Sequence, residues 1–485
     1  MKYYLGIDQG TTGTTAVLLD ESFAPVSRGY AETPRHFPLP GRVEHLADEV
    51  WESLLDAVKQ ALSVAGADPK DVAAVGLDHE GESVLFWNEK GDALTPVVVW
   101  QDSRGQDIVD GLSETDRAKI EEITCLSPDV YFSAAKYAWL KKNSSGLDGA
   151  FAGNLDAYFL YRMTGGKSYS TDPSTASRTQ LADIRAGRWS DEVREIFGLS
   201  KLRLPEILSS DALFGRTDPA VFLGIDAPIR ALLNDQQAAL FGQGCFEEGD
   251  LKTTYGTGCF MLMNTGENPV RSVSGLLTTV AWRRNEKTMY ALDGGVYIAG
   301  AAIQWLRDGP GIIRDAHETA ALAESVKDTD GLYFVPAFTG LAAPHRDPAA
   351  AGMMIGISGG TTKAHIVRAT LESIAYQVSD VLDAMRKDAV APVGYMRCDG
   401  GATANDFLMQ FQADIAGIPL TVPAFRDATP YGVALMAGAA LEKVDPAAVS
   451  RPTDGKSFTP RMSEDERQTR RATWQRAISR AKNWK

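Results

Sequence analysis

A short segment near the start of the chain, residues 5–15, places the strongest constraint on the fold. Its apolar residues predict a strand that ends in the carboxylate Asp8, and the turn Gly10-Thr11-Thr12-Gly13 follows at once. Glycine lets the backbone turn sharply and approach a ligand closely, while N–H groups and threonine hydroxyls suit phosphate oxygens. A carboxylate beside them is a hard ligand that suits Mg²⁺. The segment predicts a turn that holds nucleotide phosphates, although the same residues would also form an ordinary hairpin.

Length and composition restrict the class of protein. A chain of 485 residues is too long for one ordinary core, so two large domains are expected. The net charge of −14 argues against a nucleic acid or an anionic membrane as the main partner. No apolar run approaches the ~20 residues that span a bilayer, and no signal-peptide pattern precedes the first strand. The 4 scattered cysteines fit a reducing compartment. We therefore expect a cytoplasmic protein without a membrane span.

The chain divides into two halves with a similar beginning. Helical periodicity is expected over residues 47–65, followed by β-rich runs at 72–77, 83–87 and 97–100. A second strand leads into a Gly/Thr turn at residues 252–258, and a long amphipathic helix is expected over 363–386. Two strand-then-turn segments about half a chain apart predict a duplicated α/β architecture with a nucleotide between the halves.

Two further loops follow predicted strands. Asp235 comes after the apolar run 229–233 and before a helix-like segment, which places it well as a general base for a substrate hydroxyl. Gln236 could fix another hydroxyl, but an aspartate at this position could also simply cap the helix. The third loop, residues 399–405, carries Gly400 and Gly401, whose bare backbone lets a flat base or a ribose approach.

Two other motifs are expected to carry no such chemistry. Residues 164–168 resemble the end of a phosphate-binding P-loop, but Tyr161 stands where the first glycine is required, so a turn between two strands is expected. The run Asp78-His79-Glu80 resembles a metal cluster, but neighbouring residues of a strand point to opposite faces. Structural or substrate-pocket roles are therefore expected for these three residues.

These segments together resemble the FGGY carbohydrate kinases, and among them the glycerol kinase branch, over nearly the whole chain. The resemblance is carried by residues 131–143 and 356–372, which look like the two family signatures, and by 235–244, 254–264, 299–307 and 335–344. It implies two actin-like (ribonuclease-H-like) domains with a cleft between them. Residues 1–246 would be the polyol-binding domain, and residues 247–485 the adenosine-binding domain with a C-terminal helix.

The resemblance also implies a role for each matched residue, with ATP and Mg²⁺ as cofactors and a small polyol as acceptor. Asp235 would be the catalytic base and, with Asp8, a metal ligand. The polyol would be surrounded by Glu82, Trp100, Tyr131, Asp235, Gln236 and Phe260. The nucleotide would lie against Gly10, Thr11, Thr12, Gly256, Thr257, Gly300, Gln304, Gly401, Ala402 and Asn405. Family members commonly assemble as dimers or tetramers, so a homodimer or homotetramer is implied.

Two departures from the family pattern make the acceptor uncertain. Gly81 stands where glycerol kinases carry a substrate-binding arginine, and Thr15 stands where they carry an arginine near the phosphates. Each missing arginine removes charge-assisted hydrogen bonds of about 1.5–3 kcal/mol. Either glycerol binds weakly, or the vacated space accepts a larger acceptor such as erythritol, xylulose or ribulose. Gln236 and Tyr131 favour glycerol.

A non-enzymatic alternative is a catalytically silent actin-like ATP-binding protein. A pure ATP binder would have no need of a catalytic base, so the presence of Asp8 and Asp235 argues against it.

Overall fold

The computed structural model describes residues 1–389, 391–450 and 455–485, and it has the α/β architecture expected from the sequence. The strands of the first half are β1 (Tyr3–Gly10), β2 (Gly13–Leu19), β3 (Pro25–Glu32), β4 (Glu44–His45), β5 (Val72–His79), β6 (Val84–Trp87), β7 (Val97–Val98), β8 (Phe151–Asn154), β9 (Ser170–Thr171), β10 (Ala182–Asp183), β11 (Arg188–Trp189), β12 (Glu206–Ile207), β13 (Gly215–Arg216) and β14 (Pro228–Asn234). Its helices are α1 (Ala47–Ala65), α2 (Gln106–Asp110), α3 (Glu114–Thr124), α4 (Ser133–Asn143), α5 (Leu155–Met163), α6 (Pro173–Arg178), α7 (Asp191–Ile196) and α8 (Asp235–Gly242).

The second half contains the remaining elements. Its strands are β15 (Leu251–Tyr255), β16 (Cys259–Gly266), β17 (Leu277–Arg284), β18 (Lys287–Val296), β19 (Tyr333–Val335), β20 (Met353–Ile355), β21 (Met396–Asp399), β22 (Leu420–Val422) and β23 (Lys456–Phe458). Its helices are α9 (Gly300–Asp308), α10 (Glu318–Glu324), α11 (Lys363–Asp388), α12 (Asp406–Ala416), α13 (Ala428–Glu442), α14 (Pro446–Val449) and α15 (Glu464–Ala481). Within the described ranges, none of these helices combines the length and apolarity that a bilayer crossing requires.

The two large sheets share one plan. The first sheet has the order β13-β14-β5-β1-β2-β3, and the second has the order β17-β18-β16-β15-β21-β22-β23. In each sheet a central strand, β1 or β15, pairs antiparallel with the next strand and parallel with a later one, β5 or β21. The duplicated architecture predicted from the sequence is confirmed. Residues 5–15 do form a hairpin, whose turn lies at the carboxyl end of the central strand.

Local sequence signals explain the main helices. The apolar face of α1, which includes Val50, Leu54 and Val58, is buried, and the helix ends at Gly66 in the left-handed conformation with φ of 61°. The predicted helices over 47–65 and 363–386 are confirmed, the second extending to Asp388. The turn at residues 164–168 is different from the prediction. It joins helix α5 to strand β9 rather than two strands, because residues 155–163 bury a run of large apolar side chains as a helix.

Helix α13 ties the two halves together. It follows strand β22 of the second sheet in the sequence, but it packs on the first sheet and on α8. The backbones approach closely because glycines lie at the contacts. A Cβ at Gly6 of β1 would lie 1.9 Å from the carbonyl oxygen of Pro430, and one at Gly76 would lie 2.1 Å from that of Val433. Gly242 of α8 is equally close to the carbonyl oxygen of Ala428, at 2.0 Å. Any side chain at these positions would separate α13 from the first half.

Replacement of Gly6 by alanine should therefore destabilise the protein. The added Cβ would overlap the Pro430 carbonyl, and overpacking of this kind costs about 1–3 kcal/mol or more. We expect a lower melting temperature by calorimetry. Gly359→Ala is the matched control, because nothing lies within 4 Å of a Cβ at that exposed glycine. Equal melting temperatures for the two variants would contradict the close packing of α13 on β1.

Candidate active site

Three carboxylates meet at the carboxyl ends of neighbouring parallel strands. Asp8 lies near the carboxyl end of β1, and Asp78 is its register partner on β5. Asp235 directly follows β14, which pairs with β5. Ligand sites of open α/β sheets lie at this edge. The sequence identified Asp8 and Asp235 but assigned Asp78 to a structural or pocket role. The neighbours of Asp78 point elsewhere, as strand alternation requires: the His79 ring contacts the Thr175 hydroxyl.

Burial raises the pKa values of all three carboxyls, and repulsion between them adds to the shift at Asp8 and Asp78. Removal from water, together with the charge of Asp235, raises the pKa of Asp8 to about 7. Burial and the nearby charge of Asp8 raise the pKa of Asp78 well above its usual range. Burial also raises the pKa of Asp235. The Arg28 guanidinium of β3 partly opposes the shift at Asp8, so this edge of the sheet holds excess negative charge beside one nearby arginine.

Asp235 is joined to the second sheet through its neighbour. Its two carboxylate oxygens accept hydrogen bonds from the backbone N–H of Gln236 at 2.6 Å and from the side-chain amide of Gln236 at 3.2 Å. The amide oxygen of Gln236 in turn accepts a hydrogen bond of 2.6 Å from the ammonium group of Lys252 on β15. Asp235 is the first residue of α8 and Asn234 is the N-cap residue. No sequence motif indicated Lys252.

Trp100 connects the first Gly/Thr turn with the expected acceptor residues. Its indole N–H donates to the hydroxyl of Thr11 at 3.0 Å, and its ring meets the Tyr131 ring edge-on with centroids 5.7 Å apart. Thr11 and Thr12 form the turn between β1 and β2, after Gly10. The predicted phosphate turn and part of the predicted polyol pocket are therefore adjacent.

Arg178, at the end of α6, is the main residue of this region that the sequence did not reveal. Its Nε donates to Glu82 at 2.6 Å, and its Nη1 donates to Asp293 of β18 at 3.0 Å. The guanidinium lies 5.6 Å from the centroid of the Tyr131 ring. Glu82 has a φ of 60°, which is unusual outside glycine and common at functional sites. Arg178 therefore supplies a buried positive charge beside the expected acceptor residues and bridges the two halves.

The buried Lys136 fixes the loop that carries Tyr131. Its ammonium group donates to the backbone carbonyls of Val130, Tyr131 and Phe132 at 2.5–3.2 Å. Phe260 is the one predicted polyol residue on the second sheet, where it pairs with Gly295 of β18 and packs against it.

The nucleotide-binding residues predicted in the second half, those of the second phosphate turn and of the adenosine end, lie at the carboxyl edge of the second sheet. Gly256 and Thr257 form the turn after β15, and the N–H groups at the start of α9 donate to their carbonyls, from Gly300 to Gly256 at 3.1 Å. A Cβ at Gly400 would lie 2.5 Å from the carbonyl oxygen of Tyr255, so the third loop rests on the second. The remaining members are Gln304 on α9, Gly401 and Ala402 in a short 3₁₀ turn, and Asn405, which caps α12.

Thr15 and Gly81, which stand where the family pattern has arginines, have different surroundings. Thr15 is the cross-strand partner of Asp8, so its small side chain leaves that carboxylate without a cation on the facing strand. At Gly81 the space is not vacant. A Cβ there would lie 2.3 Å from the side-chain nitrogen of Asn234, so the expected room for a larger acceptor is filled at this point.

Comparison with known proteins agrees with this geometry. The N-terminal domain model of the FGGY family of carbohydrate kinases matches residues 3–242, and its C-terminal domain model matches residues 251–441. The chain belongs to the FGGY family of carbohydrate kinases. The resemblance drawn from the sequence motifs is thereby confirmed.

Individual relatives extend over the whole chain. Glycerol kinase 2 of Thermotoga maritima is 44% identical and the match covers 100% of this chain and 99% of the relative. Glycerol kinase of Deinococcus radiodurans is 43% identical, with 100% and 98% covered. The crystal structure of Plasmodium falciparum glycerol kinase with ADP has a TM-score of 0.92 at 32% identity, covering 99% of this chain and 98% of that chain. A xylulose kinase of Lactobacillus acidophilus, 21% identical with a TM-score of 0.88 and with 99% and 97% covered, shows the same fold.

Proposed function

We propose that the protein transfers the γ-phosphoryl group of ATP to a terminal hydroxyl of a small polyol, with glycerol as the first candidate acceptor. The observation that carries this proposal is the placement of Asp235. Its carboxylate lies at the carboxyl end of β14 beside Asp8, and Gln236 links it to the second sheet through Lys252. A kinase needs a base, a phosphate site and an acceptor pocket in one cleft rather than a covalent nucleophile. The glycerol kinase relatives favour glycerol over erythritol, xylulose or ribulose.

In this proposal Asp235 accepts the proton of the acceptor hydroxyl as the oxygen attacks the γ-phosphorus in line with the leaving ADP. Glu82, Trp100, Tyr131, Gln236 and Phe260 hold the polyol. The turn Gly10-Thr11-Thr12, the turn Gly256-Thr257, and the residues Gly300, Gln304, Gly401, Ala402 and Asn405 hold ATP. Closure of the two halves around the ligands would exclude water and limit hydrolysis of ATP.

The carboxylates suit Mg²⁺. Within the described part of the chain, no group of three or more His, Cys, Asp or Glu side chains is arranged so that it could hold a metal ion by itself, the three neighbouring carboxylates included. Mg²⁺ does not require one, because it commonly takes one or two carboxylates and completes its shell with waters and substrate phosphates. Asp8 and Asp235 are the proposed ligands. Burial raises the pKa of both, and the negative charge of Asp235 adds to the shift at Asp8, which a cation would relieve. When bound, Mg²⁺ would neutralise charge on the transferred phosphoryl group.

The test is a coupled assay of ADP release with glycerol, erythritol, xylulose and ribulose in the presence of Mg²⁺. We expect turnover with at least one of them, fastest with glycerol. Chelation with EDTA should abolish it, and added Mg²⁺ should restore it. Tight ATP binding with no turnover on any acceptor would favour the alternative, a catalytically silent actin-like ATP-binding protein.

We further propose that residues 1–246 form the polyol-binding domain and residues 247–485 the adenosine-binding domain. The two sheets support this division, and α13 is the exception because it packs on the first sheet.

The 4 cysteines, all free in the described residues, suit a cytoplasmic location. The family resemblance implies a homodimer or homotetramer, which light scattering would measure.

A further inference from the structure

One buried amide beside the proposed base has no partner. Asn234 is 2% exposed, and its Nδ2 has no hydrogen-bond partner among the residues that the structure describes. Asn234 is the N-cap residue of α8, but its side chain makes no capping hydrogen bond. A buried N–H group without an acceptor is costly, so such a group in a native protein requires an explanation. An oxygen of a bound ligand would provide one.

The unpartnered amide faces the position of the missing arginine. A Cβ built on Gly81 would lie 2.3 Å from Nδ2 and 3.1 Å from Oδ1 of Asn234. The asparagine side chain therefore occupies the space into which a side chain at residue 81 would extend. Gly81 is followed by Glu82, and Asn234 is followed by Asp235. Gly81 and Asn234 thus each directly precede a residue that is proposed to hold the acceptor.

We propose that Nδ2 of Asn234 donates a hydrogen bond to an oxygen of the acceptor and that Asn234 with Gly81 replaces the substrate-binding arginine. This inference rests on the proposed kinase function. An amide is neutral and has two N–H donors, whereas arginine brings a positive charge and a fork of five. At this position the acceptor therefore meets a neutral donor, which suits a hydroxyl or carbonyl oxygen beside the reacting end.

The first test compares acceptors that differ by one hydroxyl. We expect Asn234→Ala to lower kcat/KM for glycerol about 10-fold or more, mainly through KM. With either 1,2-propanediol or 1,3-propanediol, whichever lacks the hydroxyl that meets Nδ2, kcat/KM should be the same in both proteins. If erythritol is the preferred acceptor, butane-1,2,4-triol and butane-1,2,3-triol serve the same purpose. Asn234→Ser, which keeps a good N-cap residue, should show the same pattern if the alanine variant folds poorly.

A matched control separates substrate contact from structural support. Asn154 is also a buried asparagine, but its Nδ2 is satisfied by the carbonyl of Ser83 and the hydroxyl of Ser133, each at 3.0 Å. Asn154→Ala should lower the melting temperature and affect all acceptors by one common factor. If Asn234→Ala behaves in the same way, or changes no acceptor, the inference is overturned. A wild-type protein that phosphorylates none of the acceptors would instead refute the proposed function, and the inference with it.

The second test replaces Gly81 and Asn234, singly and together. Gly81→Arg alone should lower kcat/KM and the melting temperature, because its Cβ collides with Asn234. Adding Asn234→Gly removes the collision, so the double variant should exceed Gly81→Arg in both measurements. Its kcat/KM for glycerol should also exceed that of Asn234→Gly by about 10-fold or more, as a double-mutant cycle would show. Additive effects of the two substitutions would contradict the replacement.

Discussion

Replacement of Asp235 by asparagine should lower kcat by about 10²–10⁴-fold, the usual contribution of a positioned general base. Asparagine has nearly the same shape and keeps an oxygen for the backbone N–H of Gln236, so the fold should be preserved. It cannot accept the proton of the acceptor hydroxyl. Steady-state kinetics with the preferred acceptor would measure the loss, and calorimetry should show ATP binding within a few-fold of the wild type.

A matched control for this substitution is Asp191→Asn. Asp191 is likewise the first residue of a helix, α7, but its side chain is exposed and pairs with Arg194 of the same helix. Its kcat should equal that of the wild type. A kcat of Asp235→Asn within tenfold of the wild type would rule out Asp235 as the base.

The kcat of the wild type should decrease toward low pH, because the proposed base Asp235 must be ionised. Burial raises the pKa of Asp235 above its usual range, and only the ionised carboxylate can accept a proton. Wild-type kcat should therefore fall as the pH falls through this raised pKa. Asp8 has a pKa of about 7 without bound metal and is a proposed Mg²⁺ ligand, so Asp235→Asn should be compared with the wild type at saturating Mg²⁺ on the alkaline plateau.

The parts of the fold that the sequence predicts are those with local signals. The strand before Asp8, the turn at Thr11 and Thr12, and the strand before Asp235 all carry their pattern within a few residues, and all are confirmed. The duplicated plan of the two sheets follows from two such strand-then-turn segments. The P-loop-like residues 164–168 show the limit of this reasoning, since helix α5 before them has no clear polar face to reveal its period.

Arg178 and Lys252, which no sequence motif indicated, contact residues that lie outside their own helix or strand. Arg178 meets Glu82 and Asp293, which are 96 and 115 residues away from it. Lys252 of β15 contacts Gln236 of α8, and neither cation lies in a motif with recognisable spacing. The filling of the space at Gly81 by Asn234 depends on the register of two strands. Such contacts require the tertiary structure, because side-chain chemistry alone does not indicate which distant partners meet.

Replacement of Arg178 by alanine should have the second large effect, on both stability and activity. Arg178 is 4% exposed, and its guanidinium lies between two buried carboxylates. Its Nε is 2.6 Å from Glu82, and its Nη1 is 3.0 Å from Asp293. Removal of one partner from a buried ion pair costs about 3–5 kcal/mol, because the other charge remains buried without compensation. The pKa of Glu82, already raised by burial and held down by Arg178, should rise further. We expect a clearly lower melting temperature. We also expect kcat/KM to fall about 100-fold, because the proposed acceptor residue Glu82 loses the charged donor that holds it, and lost binding of about 2–3 kcal/mol corresponds to about two factors of ten.

Arg271 is a close control for this variant. It also forms an ion pair between the two halves, with Glu121 at 2.7 Å, but its side chain is 61% exposed. An exposed pair contributes about 0–1 kcal/mol, so Arg271→Ala should change neither measurement appreciably. Arg178→Lys should fall between alanine and the wild type, because a lysine keeps the charge but cannot direct two separate N–H donors at fixed carboxylates. If Arg178→Ala resembled Arg271→Ala, the two halves would not depend on this bridge, and Glu82 would have to be oriented by its own strained backbone alone.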